Sequence, residues 1–241
     1  MLVMGGGTAR ESTAARVRHL CRMNDALWRL LSLLWPVRVA RWAGRYQPLE
    51  LTYEMGRPVV NSRHANQSWG SLHRLWQQVF AQVLPPGPGP DRALVLGFGA
   101  GSVASILHHE LHRPVHIIGV EGEPVMLTLA DRQHRRYDRG RVTLEEADAF
   151  AWAGACRHHP YPVVVVDLFV ELDVPEAAAG EPFLDDLRRL TATDGLLVVN
   201  TIPHDEMTRS RSERIASGLR HRFGSVEELT LEGVNRVFIA R

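Results

Sequence analysis

The apolar positions of this chain change period along its length. From residue 13 to 35 they recur at helical spacing, with Leu20, Leu27, Leu30, Leu31 and Leu34 on one stripe. Pro36 ends or kinks that helix. Trp28, Trp35 and Trp42 lie seven apart, which would align them on one face of a continuous helix. Residues 49–61 predict two short strands around a turn at Met55-Gly56. A helical period returns over 69–84, carried by Leu72, Leu75, Trp76, Phe80 and Val83. The run PPGPGPD at 85–91 is a linker, too rich in Pro and Gly for an element. Beyond it short apolar runs alternate with amphipathic ones. Strands are expected at 93–96, 115–120, 142–145, 163–168, 196–200, 226–231 and 236–240. Helices are expected at 102–111, 123–133, 149–157, 182–190 and 208–222. Apolar strands separated by helices predict a mostly parallel α/β sheet of seven strands covered on both faces. The last two strands, around Glu232-Gly233, predict an antiparallel finish.

Composition removes several function classes. The 241 residues are 45% apolar and 23% charged, as in ordinary globular chains. All 28 basic residues are arginine. Without lysine there is no P-loop, protein-kinase or Schiff-base chemistry. Cys21 and Cys156 form no zinc pattern, so no metal is expected. His108, His109 and His112 share a helix, but HHELH is not HExxH, and a solvent-facing role is expected. A net charge of +1 gives no pull toward nucleic acid. The sequence has no run of eighteen apolar residues and residues 1–12 lack the shape of a signal peptide, so a cytoplasmic location without a transmembrane segment is expected.

The charge is unevenly placed. Residues 1–50 hold eight arginines against Glu11, Asp25 and Glu50, a balance of +5, which leaves −4 for the rest of a chain whose net charge is +1. The chain divides into three regions: a tail and helical arm (1–47), a small strand and helix piece with its linker (48–90), and a ligand-binding domain (91–241). The basic, Trp-bearing arm is expected to pack on the body or on a second subunit, because apolar stripes usually face a core. A membrane-surface helix is the alternative.

The chemistry concentrates where strands end. The first strand of the large domain runs into Leu96-Gly97-Phe98-Gly99-Ala100-Gly101-Ser102, whose alternating glycines permit a sharp turn and close approach of a ligand. Glu121 ends the next strand, where a carboxylate can accept hydrogen bonds from both ribose hydroxyls. Asp148 comes after the third strand and Asp167 ends the fourth. The sixth position of a dinucleotide fingerprint is Ser102 here, so the turn reads GxGxG instead.

Gly97, Gly99 and Gly101 with Glu121 and Asp148 resemble the class I S-adenosylmethionine-dependent methyltransferase fold, a Rossmann-like doubly wound sheet. The stretches ALVLGFGAGS, VHIIGVEGEP, RVTLEEADAFAWA, YPVVVVDLFVE and LLVVNTIP resemble its spermidine synthase branch, over about residues 48–240. That resemblance implies donor binding by Gly97, Gly99, Ala100, Gly101, Glu121, Gly122, Asp148 and Ala149, with Asp167 catalytic and Trp69 and Phe169 on the substrate side. It implies S-adenosylmethionine or its decarboxylated form as cofactor, a small-molecule acceptor and a homodimer.

Three departures bear on the reaction. Ala100 stands where the branch has an acid that pairs with the donor amine, and Val170 where it has a second acid. Trp69-Gly70 stands about where it has a Tyr-led gate. Glu171, Asp173 and Glu176 come soon after Val170, as substitutes or as plain solvated surface. The residues leave three readings open: methyl transfer, aminopropyl transfer to a polyamine, or a nucleoside-binding scaffold without catalysis. Ala100 orders the first ahead of the second. With no acid to hold an ammonium, and turn N–H groups free for a carboxylate, the expectation is that intact S-adenosylmethionine binds at least about tenfold more tightly than its decarboxylated form.

Overall fold

The computed structural model describes residues 25–84, 87, 89–132 and 137–241. The expected tail at 1–12 and the first half of the expected helix at 13–35 lie outside the described residues. From residue 25 onward the chain departs from a single long helix. A short helix α1 (Asp25–Leu31) gives way, across Pro36, to strand β1 (Val37–Trp42). Trp28 is therefore helical, Trp35 lies in the connection and Trp42 is on a strand, and no common face exists. Val37 and Val39 flank an exposed Arg38, and Ala40 and Trp42 an exposed Arg41, with a bulge between the two pairs, an alternation that the tryptophan spacing masked.

β1 opens a four-stranded antiparallel sheet with β2 (Leu49–Glu54), β3 (Arg57–Asn61) and β4 (Asn66–Ser68), in that order. The small sheet thus begins inside the stretch read as an arm, and is larger than the expected hairpin. β2 buries Leu49, Leu51 and Tyr53 and leaves Glu50, Thr52 and Glu54 partly open. Met55 and Gly56 both take positive φ, 49° and 78°, as a two-residue hairpin turn that matches strand twist requires. Helix α2 (Gly70–Val83) comes next and buries Leu75, Trp76, Val79, Phe80 and Val83 along one face.

The large sheet holds β5 (Arg92–Leu96), β6 (His116–Glu121), β7 (Val142–Glu146), β8 (Tyr161–Val166), β9 (Thr191–Thr201), β10 (Val226–Leu231) and β11 (Asn235–Ala240). Their order is β10-β11-β9-β8-β5-β6-β7, parallel except for β11, which runs antiparallel to both neighbours. The apolar runs are continuous because alternate residues serve different cores. Ala93 and Val95 pack with α2 and with α3 (Ser102–Ser105), which continues as a π-helical turn over Ile106–Glu110. Leu94 and Leu96 pack with α5 (Ala149–Ala155), α6 (Glu181–Leu190) and α7 (Glu206–Arg220). Helix α4 (Pro124–Arg132) lies between β6 and β7 and, with Met126 and Leu129, joins Leu49, Leu51 and Val60 of the small sheet in a third cluster. No helix among the described residues is long and apolar enough to cross a membrane.

The chain steps from β5 outward to β6 and β7, then returns to place β8 on the other side of β5. Open α/β sheets form their ligand crevice at this reversal, outside the carboxyl ends of the strands. Here the two strand ends nearly touch. The Asp167 N–H donates to the Leu96 carbonyl at 2.9 Å. Gly97 sits at φ 84°, and a Cβ on it would lie 2.1 Å from the Asp167 carbonyl oxygen. Gly97→Ala therefore combines a left-handed backbone penalty of about 1–2 kcal/mol with a backbone clash. Chemical denaturation is expected to show a loss of at least about 2 kcal/mol; a loss under about 0.5 kcal/mol would refute this close approach.

Candidate active site

The switch point opens into a crevice of about 650 Å³ between the two sheets. Of the residues singled out in the sequence or implied by the resemblance, Gly97, Gly99, Glu121, Gly122, Asp148, Ala149, Asp167 and Phe169 line it. Ala100, Gly101 and Trp69 do not. Ala100 is fully buried and packs with Leu49, Leu51, Val60 and Trp69. Trp69 joins the same cluster, because its φ of 68° and the helix start after it turn the ring inward. In its place the indole that lines the crevice is Trp76, two turns along α2.

The glycine turn is tied at every N–H from Gly97 to Gly101. Gly97 and Phe98 both donate to the Val120 carbonyl, at 3.0 and 3.1 Å. Gly99 donates to Glu121 Oε2 at 2.7 Å, Ala100 to Ser68 Oγ at 3.1 Å, and Gly101 to the Phe98 carbonyl at 3.2 Å. Ser102 Oγ accepts from the Trp69 N–H at 3.0 Å and lies 3.2 Å from Ser68 Oγ. The expectation of free N–H groups for a donor carboxylate is thus overturned: β4 and Glu121 already occupy them.

Glu121 is held at the end of β6 by two N–H donors, Gly99 on Oε2 and Glu123 on Oε1 at 2.9 Å. Burial raises its carboxyl to about 7 against the lowering effect of those donors. Asp148 is exposed and caps α5, its Oδ1 accepting from Ala151 N at 2.9 Å. Its cap bond fixes the carboxyl at the crevice wall beside Ala149.

Asp167 faces the crevice where β8 ends. Its Oδ2 accepts from the Trp76 indole N–H at 3.0 Å and its Oδ1 from Asn200 Nδ2 at 2.9 Å. Both donors are neutral, and burial outweighs them, raising the carboxyl to about 6. Sequence reading singled out neither partner. Trp76 read as core, which it also is. Asn200 had a signal of its own: LLVVN repeats the form of VVVVD, an apolar strand ending in one polar residue.

The crevice roof is pinned to its floor by polar contacts. Glu171, at φ 56°, accepts from the His64 N–H at 3.1 Å through its carboxylate and from Gln67 Nε2 at 3.0 Å through its carbonyl, while its own N–H donates to Gln47. Arg45 spans from the Gly122 carbonyl (2.8 Å) to Glu146 (2.8 Å), and its N–H donates to Glu123. Of the three acids after Val170, only Glu171 lines the crevice. Asp173 lies 3.5 Å from His204, and Glu176 pairs with Arg211 and Arg214 at 2.8 and 2.6 Å. The histidines do structural work: His108 Nε2 donates to the Val115 carbonyl at 2.8 Å and Nδ1 accepts from the Asp138 N–H at 3.1 Å, while His109 and His112 are exposed. No cluster among the described residues could hold a metal ion.

Asp167 and Glu121 release their protons at higher pH folded than unfolded. Between about pH 4 and 7 the folded chain binds more protons, so their contribution to stability is full below about pH 4 and is lost as pH rises through about 6 and 7. The ligand-free protein should lose roughly 1–3 kcal/mol across that window through Asp167. In thermal melts at pH 4 and pH 8, Asp167→Asn is expected to shrink the difference between the two. The same difference in a folded variant would contradict the assignment.

No family model matches the chain. It is 28% identical over 158 residues to the polyamine aminopropyltransferase of Vibrio vulnificus, covering 65% of this chain and 52% of that one. The chain thus spans about half the length of that relative. A probable spermidine synthase from Corynebacterium glutamicum superposes with a TM-score of 0.66 at 18% identity, covering 83% of this chain and 79% of that one. Human methyltransferase-like protein 13, in complex with SAH, superposes with a TM-score of 0.57 at 22% identity, covering 72% and 82%. The fold is therefore the Rossmann-like one expected, and relatives and neighbours together fit the spermidine synthase-like branch that the sequence resembles.

Proposed function

We propose that this chain is a transferase that binds decarboxylated S-adenosylmethionine in the crevice and moves its aminopropyl group to an amine of a polyamine. One observation carries the reading: six carboxylates line the crevice against one arginine, Arg63, with His64 beside it. Burying a polycation needs such an excess of acid. The name of the Vibrio vulnificus relative supports the same choice. This reverses the donor order expected from Ala100. Position 100 points into the small core, so an acid there would not reach a donor, and the turn N–H groups are spent on protein acceptors.

The residues fit such a donor. Glu121 at the end of β6 is placed to accept from ribose hydroxyls through the lone pairs left beside its bonds with Gly99 and Glu123. Asp148, Ala149 and Gly122 wall the nucleoside end, and the Gly97–Gly101 turn lies under its sulfur side. Phe169 and Trp76 flank the acceptor side. The bound donor supplies a carbon attached to a positively charged sulfur, and that carbon–sulfur bond breaks with its electron pair on sulfur, leaving methylthioadenosine. Asp167 orients the attacking amine, with an oxygen held by Trp76 on one side and by Asn200 on the other. Its carboxyl, raised to about 6, is ionised at neutral pH and able to take the proton that the new carbon–nitrogen bond releases. Positioning does most of the rest.

Methyl transfer from intact S-adenosylmethionine is the second reading. Val170, on the crevice wall, favours it, since it stands where the branch has an acid. The two are separated by products. Incubation with each donor and a diamine is expected to give methylthioadenosine from the decarboxylated donor, bound at least about tenfold more tightly, or about 1.4 kcal/mol. S-Adenosylhomocysteine from the intact donor, with no methylthioadenosine, would replace the first reading by the second. Glu121→Ala is expected to weaken donor binding by about 1.5–3 kcal/mol in calorimetry; unchanged affinity in a folded variant would remove Glu121 from the site.

A further inference from the structure

Beside Asp167 two amides, Asn200 and Asn235, line the crevice, and the transfer reading uses only the first. Asn200 is buried at the end of β9, and its Nδ2 donates to Asp167 Oδ1 at 2.9 Å. Its Oδ1 accepts from Nδ2 of Asn235, also buried, at 3.0 Å. Asn235 starts β11, directly after the Glu232-Gly233 turn. That turn is fastened to α2: Arg74 donates to Glu232 at 3.1 Å and Gln78 at 2.7 Å. α2 also carries Trp76, the other donor to Asp167. The contacts close a ring that runs from Asp167 through Asn200, Asn235, the Glu232 turn and α2 back to Asp167.

An asparagine amide has a donor end and an acceptor end of nearly the same shape, so a lone Asn200 could face Asp167 either way round. Facing it with oxygen would set two acceptors together and push an ionised carboxylate off its position. Asn235 reinforces one choice: its N–H₂ end donates to the oxygen of Asn200, which leaves the N–H₂ end of Asn200 for Asp167. We propose that Asn235 acts through Asn200 as a positioning relay, which fixes the donor end of Asn200 on Asp167 and so holds the carboxylate in one orientation toward the crevice. Its role in turnover rests on the transfer reading; its effect on the carboxylate does not.

Other charged groups ring the crevice: Glu50 on β2, Arg63 and His64 between β3 and β4, Glu121 and Glu123 after β6, Asp148 after β7, and Glu171 on the loop of Asp167 itself. The shift of Asp167 comes first from burial, opposed by its bonds with Asn200 and Trp76. A change in its titration on altering Asn235, an uncharged residue that does not touch it, is therefore a signature of the relay.

The test is a double-mutant cycle read on the Asp167 carboxyl by carbon-13 NMR titration of the full chain, with Asn200→Ala, Asn235→Leu and the pair. Asn200→Ala is expected to raise the Asp167 titration midpoint by about half a pH unit or more, Asn235→Leu to raise it by part of that, and the pair to match Asn200→Ala alone. Asn235→Ser replaces Asn235→Leu if the latter does not fold. With the decarboxylated donor and a diamine, kcat should fall several-fold in each variant with donor affinity within about twofold of the parent. An unmoved midpoint in a folded Asn235 variant, or additive shifts in the pair, overturns the relay. Absence of turnover in the parent overturns the transfer reading and leaves the titration to decide the relay.

Discussion

A carboxylate held at the end of a buried parallel strand by neutral donors alone is the constraint on which the site depends. Among the described residues no cation pairs with Asp167; it has an indole N–H from α2 and an amide from β9. Neutral hydrogen bonds offset only part of the cost of burying charge, which is why its carboxyl sits near 6. The donors come from opposite sides of the molecule, one from a helix between the small sheet and β5, the other from the strand beyond β8. Packing of those elements against the central sheet is what brings them together. The touching ends of β5 and β8, where only glycine fits at 97, set the distance between turn and acid.

The same economy of charge governs the rest of the crevice. Glu121 is satisfied by backbone N–H groups and is raised by burial, as Asp167 is. Glu171 is held at a positive φ by contacts with two loops of the small sheet. Among the described residues these three carboxylates have no counter-ion in contact, so the crevice carries an excess of acid that a cationic ligand would neutralise. A protein that bound a carboxylate-bearing donor at the turn would need open N–H groups there, and this one has committed them to Ser68 and Glu121.

Much of this was legible in the sequence, for a reason that also explains the misses. The strands of the large sheet are nearly all apolar, and their polar ends, Glu121 and Asp167, stand out against that background. Periodicity placed the elements from 49 onward, β4 excepted, with ends shifted by a few residues; β9 is longer than expected because Thr191–Gly195 carries no apolar run. β1 was hidden because three evenly spaced tryptophans imposed a helical reading on a segment whose valines alternate. Position 100 misled for a different cause. Sequence alignment matches a residue to a role, but the side chain's direction depends on how the small sheet packs over the turn, and no local pattern encodes that. Trp76 and Asn200 were missed because each also satisfies a simpler reading, as core and as strand end.

A crystal structure with methylthioadenosine and a diamine tests the central claim most directly. The account predicts the nucleoside between Glu121 and Asp148, with an amine of the diamine within hydrogen-bond reach of Asp167 and further amines facing crevice carboxylates such as Glu171. A nucleoside bound elsewhere, or a diamine excluded from the crevice while the nucleoside is in place, would contradict it.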